Sequence, residues 1–139
     1  MKALIGAVAA LTLTAGLAAA QQPPKIQVGT MARTSPVDGK EMFTSYCAAC
    51  HGPDGKGTGP AAKALAKAPA DLTRISARNN GTFPGVRVRR YIEGSDEIAA
   101  HGTRDMPMWG SLFRKMGSSD AAELRIESLA QYLESIQQK

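Results

Sequence analysis

The sequence predicts an all-α domain with long loops, and three observations support that fold class. Apolar residues recur at helical spacing through residues 126–136. Only one short alternating run occurs, at residues 86–88, and no second alternating run exists to pair with it in a sheet. Glycines and prolines break regular structure through most of residues 52–69. We therefore expect about four to five short helices.

The chain of 139 residues is expected to have three parts. Residues 1–20 place Lys2 before an uncharged, Ala-rich run that ends in three alanines, which is typical of a signal peptide cleaved after Ala20. The run is too short and too diluted by Gly and Thr for a membrane span of about 20 strongly apolar residues. Residues 21–35 are predicted to be a flexible leader, and residues 36–139 one small domain whose core needs further support.

The first predicted helix covers residues 36–46 and leads into the only two cysteines of the chain. The Gly/Pro-rich segment that follows is expected to be a loop that wraps around another group. Asp71 is placed to cap a short helix at residues 71–79, because its carboxylate can accept hydrogen bonds from first-turn amides. The helices are therefore expected to be separated by long irregular connections.

Three further helices are predicted in the second half of the chain. Pro84 stands at a suitable first helical position, and Gly94 is placed to end that helix in a left-handed conformation. A short helix is expected within "WGSLFRKMG", residues 109–117. The last helix has a capping box predicted from Asp120 and Glu123, and it is the most clearly indicated element.

Cys47, Cys50 and His51 form the sequence C-x-x-C-H, which is the attachment pattern of haem c. Two thiols three residues apart on one turn can form thioethers with the two vinyl groups on one edge of a haem. The adjacent imidazole can then reach the iron from below. A covalently bound cofactor would also fill a domain in which aromatic residues make up only 5% of the chain.

A C-x-x-C pair can also serve in a zinc site, a redox couple or a local disulfide. A structural zinc site needs four ligands, and the second histidine of the chain, His101, has no further cysteine or histidine near it. A thioredoxin-like redox couple is expected after a strand in an α/β chain, and that alternation is missing here. A local disulfide stays possible, because exported thiols can oxidise.

Met106 is the predicted sixth ligand of the iron. A neutral thioether stabilises ferrous iron and raises the reduction potential, and Pro107 stiffens the loop that presents it. Met108 is the main rival. His101 is a second alternative, which would give a haem with two histidine ligands.

The chain is basic, with 17 Lys and Arg against 12 Asp and Glu and a net charge of +5. No dense basic cluster with interleaved aromatic residues indicates nucleic-acid binding, so an acidic protein surface is the expected partner. The residues proposed for steering it are Lys56, Lys63, Lys67, Arg87, Arg89 and Arg90.

These motifs together resemble the class I cytochromes c of bacterial periplasms. The resemblance rests on C-A-A-C-H-G at residues 47–52, on Gly59-Pro60, and on M-P-x-W-G ahead of a C-terminal helix with Leu129 and Tyr132. It covers about residues 36–138, although residues 61–100 match only in general pattern and their pocket residues cannot be assigned. The resemblance implies a cytochrome c fold wrapped around one covalently bound haem.

The family also implies roles for individual residues. Its N-terminal helix crosses its C-terminal helix, and Gly39, Phe43, Leu129 and Tyr132 stand where that contact is expected; Gly39 alternatively marks only the helix start. Pro60 would offer its backbone carbonyl to the other nitrogen of His51. Trp109 would donate to a haem propionate or would simply pack, and Arg104 would neutralise a propionate or stay solvated.

An iron held by both His51 and Met106 has no open position for a substrate, so the expected function is electron transfer rather than catalysis. The alternatives are a haem enzyme or gas sensor with a labile methionine, and an electron-entry subunit of a larger oxidoreductase. We expect an exported, periplasmic monomer without stable membrane insertion, which exchanges electrons with redox proteins and does not bind nucleic acid.

Overall fold

A computed structural model describes residues 33–95 and 106–138 of the chain. Within these ranges the structure is all-helical, which confirms the predicted fold class. The α-helices are α1 (Gly39–Met42), α2 (Ala48–His51), α3 (Gly85–Glu93), α4 (Trp109–Met116) and α5 (Ser119–Ser135). A π-helical segment, Phe43–Cys47, joins α1 to α2, and 3₁₀ turns occupy Ala62–Ala64, Leu72–Arg74 and Ala77–Asn79.

The N-terminal helical segment begins later and ends later than predicted. Asp38 caps α1 by accepting a hydrogen bond from Glu41 N at 2.8 Å. The helical path then continues through the π-helical segment and α2, and it stops at Gly52, which has a φ of 76°. The cysteine motif therefore forms the last turns of this segment, at a helix end as expected.

Three other predicted helix boundaries differ from the structure in detail. Asp71 does act as a cap, accepting from Thr73 N at 2.9 Å, but the turn that follows is 3₁₀ rather than α-helical. Pro84 immediately precedes α3 instead of opening it, and Gly94 ends the helix with a φ of 86° as predicted. The capping box predicted at Asp120 is wrong, because α5 begins earlier and Ser118 Oγ accepts from Ala121 N at 3.2 Å.

Helix α5 organises the domain, because α1, α3 and α4 all pack against it. Its apolar stripe is buried at Ile126, Leu129 and Leu133 and partly buried at Ile136. The largest fully buried side chains of the core are Phe43, Phe113, Met42 and Leu129. Burying each of them stabilises the fold by roughly 1.5–3 kcal/mol relative to leaving it exposed.

The crossing of α1 and α5 confirms the role predicted for Gly39. A Cβ atom at Gly39 would collide with the Ser128 backbone and would lie 2.8 Å from Tyr132 Cβ. The Phe43 and Tyr132 rings meet beside this contact with centroids 5.2 Å apart. Gly39 is thus both the first residue of α1 and the position at which the two backbones approach closely.

The signal peptide and most of the leader predicted at residues 1–35 lie outside the described residues. The predicted end of the leader is wrong, because Thr34 is only 6% exposed and is hydrogen-bonded to Arg125. The folded domain therefore includes at least Thr34. Among the helices of residues 33–95 and 106–138, none has the length and apolar character needed to cross a membrane.

Candidate functional site

The two cysteines and His51 lie together on one wall of a cavity of about 650 Å³. Cys47 closes the π-helical segment, and Cys50 and His51 belong to α2. A spacing of three residues places both thiols on the same side of this helical turn. The cavity volume falls in the range of about 300–1,000 Å³ that is usual for small-molecule and cofactor sites.

The glycine-rich loop packs directly against the cysteine turn. Gly57 N donates to His51 O at 2.7 Å and Gly59 N donates to Cys50 O at 3.1 Å, so the loop satisfies carbonyls at the end of α2. A Cβ atom at Gly59 would collide with the backbone carbonyl oxygen of Ala49. The glycines therefore allow a close approach of two backbones that holds the cysteine motif in place.

His51 is oriented by a backbone carbonyl, but not by the predicted one. Its Nδ1 lies 3.1 Å from Ala70 O, which makes Nδ1–H the donor and leaves Nε2 with a free lone pair in the neutral ring. Burial lowers the pKa of His51, although the hydrogen bond to Ala70 opposes that shift. The imidazole is thus favoured in its neutral form, which is the form that binds a metal.

The role predicted for the Pro60 carbonyl is therefore wrong in this structure. Pro60 does not line the cavity, whereas Pro69 and Ala70 do. The segment that follows Pro60 turns back toward the glycine loop, where Leu72 N donates to Gly55 O at 2.7 Å. This return places the Ala70 carbonyl at His51 and leaves Pro60 exposed on the surface.

The remainder of the cavity wall is mainly apolar. Side chains from four parts of the chain contribute to it: Leu65, Leu72, Ile75, Val88, Ile92 and Leu129. Such a wall suits a flat apolar ring system and excludes water from it. Polar groups also line the cavity, namely Lys67, Arg78, Asn79, Arg87 and Tyr91.

Both candidate methionines reach this cavity from the segment before α4. Met106 is 37% exposed and Met108 is 46% exposed, and both line the cavity that also contains His51. Met108 is fixed by its neighbours, since Ser111 Oγ donates to its carbonyl at 3.0 Å and a Cβ at Gly94 would lie 2.7 Å from its Cγ.

Trp109 is a buried part of the cavity wall. Its ring stacks on Phe113 with centroids 5.7 Å apart and meets Tyr46 at 5.5 Å. Trp109 packs in the cavity wall, and donation of its indole N–H to a haem propionate stays a prediction. His101 and Arg104 lie outside the described residues.

Cys47 and Cys50 are free thiols in the structure. Burial raises the pKa of Cys47 to about 12, and the nearby Cys50 contributes to the rise. Cys47 is therefore a protonated thiol at neutral pH. Within residues 33–95 and 106–138 no group of three or more His, Cys, Asp and Glu side chains is placed to hold a metal ion by itself.

Sequence reasoning missed the Ala70 carbonyl and two polar side chains of the site. The Ala70 carbonyl has no sequence signal, because a backbone acceptor is available at every residue. Arg78 and Asn79 also line the cavity, but they lie in the segment whose pocket residues the family resemblance left unassigned. The left-handed backbone of Asn80, with a φ of 54°, is the local feature that ends the last 3₁₀ turn beside them.

Asp71 stabilises the segment that carries the Ala70 carbonyl, and its contribution is expected to depend on pH. A hydrogen bond from the Thr73 hydroxyl is the main cause that lowers the pKa of Asp71. Because the folded pKa is lowered, the stabilisation is present above the ordinary Asp pKa of about 3.9 and is lost as the pH falls through the folded value.

We expect Asp71→Ala to be less stable than the wild type at neutral pH, with the difference shrinking below pH 4. Guanidinium unfolding of both proteins across this pH range measures the effect. Asp120→Ala is the control, because Asp120 does not provide the cap of its helix. A difference between Asp71→Ala and wild type that stays constant down to pH 2 would contradict the prediction.

The comparisons with known proteins agree with this geometry. The family model described as Cytochrome c matches residues 36–137, which is most of the chain. The chain belongs to the cytochrome c family, whose members bind haem, generally act as electron carriers and are typically found outside the cytoplasm. Neither the search of curated proteins nor the search of solved structures gives a match.

Proposed function

We propose that this chain is a periplasmic electron carrier with one haem c, attached through Cys47 and Cys50 and ligated by His51 and Met106. One observation carries the proposal: both thiols, the imidazole and the thioether line one largely apolar cavity. When bound, a haem supplies an iron centre that accepts and releases one electron. An open position for a substrate is not needed for that reaction.

The residues around the cavity fit such a group. Cys47 and Cys50 would hold it covalently, and His51 would ligate iron through Nε2 because Nδ1 is engaged with the Ala70 carbonyl. The apolar wall excludes water and disfavours the extra positive charge of the ferric state. Arg78 on the cavity wall would suit a carboxylate group of the haem.

Attachment of haem is the direct test of the proposal. The full chain is expressed with a c-type haem maturation system and characterised by mass spectrometry and a pyridine haemochrome spectrum. We expect one covalently bound haem in the wild type and none in the Cys47→Ser/Cys50→Ser double variant. Absence of added porphyrin from correctly exported wild-type protein would disprove the proposal.

The ligand set separates an electron carrier from a haem enzyme or gas sensor. With His51 and Met106 both bound, the reduced protein should not bind carbon monoxide rapidly, and the oxidised protein should show the weak long-wavelength band of methionine ligation. Rapid carbon monoxide binding would instead support an open or labile iron position. Co-purification with a larger oxidoreductase at low salt would support the role of an electron-entry subunit.

We further propose that the carrier docks on acidic redox proteins through the basic residues around the cavity. Of the six candidates, Lys67 and Arg87 line the cavity itself, whereas Arg89 is paired with Glu127 at 3.1 Å. Long-range attraction between opposite charges speeds association, and it is weakened by salt because the Debye length falls from about 30 Å at 0.01 M to about 8 Å at 0.15 M.

Electron transfer to an acidic partner is therefore expected to slow as salt increases, and Lys67→Glu should reduce both the low-salt rate and its salt dependence. Stopped-flow reduction of an acidic redox protein measures both quantities. Lys115→Glu makes the same charge change at an exposed residue that does not line the cavity, and it should have a smaller effect. Equal effects of the two substitutions would contradict docking at the cavity.

A further inference from the structure

Arg125 is the charged side chain that the fold buries most completely among residues 33–95 and 106–138, with 8% of its surface exposed. It extends from α5 to the chain segment that precedes α1. Its Nη1 donates to Thr34 Oγ1 and its Nη2 donates to Thr34 O, both at 2.9 Å. Its Nε is buried without a hydrogen-bond partner.

Arg125 forms no ion pair with a carboxylate in the described part of the chain, although the Glu41 carboxylate accepts from Ser35 N at 3.0 Å, one residue from Thr34. Arg89 pairs with Glu127 and Arg114 pairs with Glu93, and neither pair includes Arg125. The other close contacts of the guanidinium are Met42 Sδ, 3.6 Å from Nη1, and the face of the Phe113 ring, 6.0 Å from Cζ. A buried charge without an opposite partner is costly, and an apolar residue would pack at lower cost.

The guanidinium lies one layer of aromatic side chains behind the wall of the cavity. Phe113, which it faces, packs on Trp109 at 5.7 Å and on Tyr46 at 5.8 Å, and both of those rings line the cavity. Thr34 Oγ1 also shares a hydrogen bond of 2.8 Å with Tyr46 OH. The contacts from Arg125 through Thr34 to Tyr46 therefore reach the cavity by a second route.

We propose that the positive charge of Arg125 raises the reduction potential of the bound haem. This inference rests on the proposed function. When the carrier takes one electron from its donor, the charge of the haem iron falls by one, and when it passes the electron to its acceptor the charge is restored. A fixed positive charge in a low-dielectric interior favours the reduced state of that couple, while Arg125 itself exchanges neither electrons nor protons.

The size of the effect follows from Coulomb's law. A unit charge about 12 Å away, across protein with an effective dielectric constant near 20, shifts a one-electron equilibrium roughly tenfold. A tenfold shift corresponds to about 59 mV for one electron. Neutral substitutions at Arg125 should therefore lower the midpoint potential by an amount of this order.

Four variants of the haem-loaded protein distinguish an effect of the Arg125 charge from an effect of its structural contacts with Thr34. Arg125→Met and Arg125→Gln remove the charge, and glutamine keeps donors for Thr34. Arg125→Lys keeps the charge, and Thr34→Val keeps Arg125 but removes the hydroxyl that it binds. Arg114→Met is the control, because Arg114 is exposed and paired with Glu93.

Spectroelectrochemical titration and guanidinium unfolding are measured on each protein. We expect lower stability in all four variants but a lower potential only in Arg125→Met and Arg125→Gln. The potential should stay within about 18 mV of the wild-type value in Arg125→Lys, Thr34→Val and Arg114→Met. This margin corresponds to a factor of about two in the one-electron equilibrium constant. If Arg125→Met fails to mature with haem, Arg125→Gln provides the same comparison with Arg125→Lys.

Two results would overturn the inference. If the midpoint potential falls in proportion to the free energy of unfolding across all four variants, Arg125 supports the fold and nothing more. An unchanged potential in the neutral variants, with the optical spectrum intact, would show that the charge does not act on the haem. Failure of the proposed function is seen separately, in wild-type protein that lacks haem or has no reversible one-electron titration.

Discussion

Replacing Met106 by alanine is expected to lower the reduction potential of the haem-loaded protein by at least about 59 mV, which is a tenfold change in the one-electron equilibrium. The reason is the loss of a neutral sulfur ligand that stabilises ferrous iron. Water or an added ligand would then occupy the vacated position. Carbon monoxide should consequently bind the reduced variant faster than it binds the wild type.

Met108→Ala is the matched control for this experiment. Met108 lines the same cavity, but its backbone carbonyl accepts from Ser111 and its side chain packs against Gly94. We expect this variant to retain the long-wavelength band of methionine ligation and nearly the wild-type potential. The reverse result, with the band lost in Met108→Ala and kept in Met106→Ala, would assign the sixth ligand to Met108.

Substituting Gly39 by alanine is expected to lower the free energy of unfolding substantially. The new Cβ would collide with the Ser128 backbone and lie 2.8 Å from Tyr132 Cβ, so α1 and α5 must separate. Overpacking of this kind costs typically about 1–3 kcal/mol and occasionally more. That cost is a large fraction of the roughly 5–15 kcal/mol that stabilises a typical domain.

Gly85→Ala provides the control for the helix crossing. Gly85 opens α3, and a Cβ there would meet its nearest neighbour, Arg89 Nη1, at an ordinary distance of 3.5 Å. This variant should be as stable as the wild type or slightly more stable, because alanine restricts the unfolded chain. Guanidinium unfolding of the haem-loaded proteins measures both changes, and equal stabilities of the two variants would contradict the close crossing of α1 and α5.

The structure links the crossing to the site through α1 and the π-helical segment. Phe43 contacts Tyr132 at the crossing and also lines the cavity, while Tyr46, three residues later, contacts Trp109. The cysteines follow directly in the same helical path. The packing of α1 on α5 therefore determines where the thiols and His51 stand relative to the methionines before α4.

Local sequence signals predicted the helical elements well where each depends on neighbouring residues. Gly94 ends α3 with the left-handed backbone expected of it, and Asp71 caps its turn. The stripe on α5 could be predicted because helical periodicity alone places its members on one face. The cap of α5 was wrong by two residues because Ser118 and Asp120 both suit a capping position, and local chemistry does not separate them.

Contacts between residues distant in sequence could be predicted only from the family resemblance, and some could not be predicted at all. The partners of Gly39 followed from the resemblance, and the structure bears them out. The same resemblance predicted the wrong carbonyl partner for His51. The Ala70 carbonyl reaches His51 because of the backbone path of residues 61–70, which no sequence motif indicates. The anchoring of Thr34 by Arg125 was also missed, since a threonine in a Pro- and Gly-rich segment carries no sign of a partner 91 residues away.

The sequence by itself determined the chemistry of this protein: two thiols and an imidazole at fixed spacing on one turn, a helical domain, and methionines available from a later loop. The tertiary structure decided which groups meet across the cavity, which carbonyl orients His51, and which cation is buried behind the aromatic wall. The physical reason is that spacing along a helix is set by local backbone geometry. Burial and backbone acceptors depend on how the whole chain packs, which no short stretch of residues specifies.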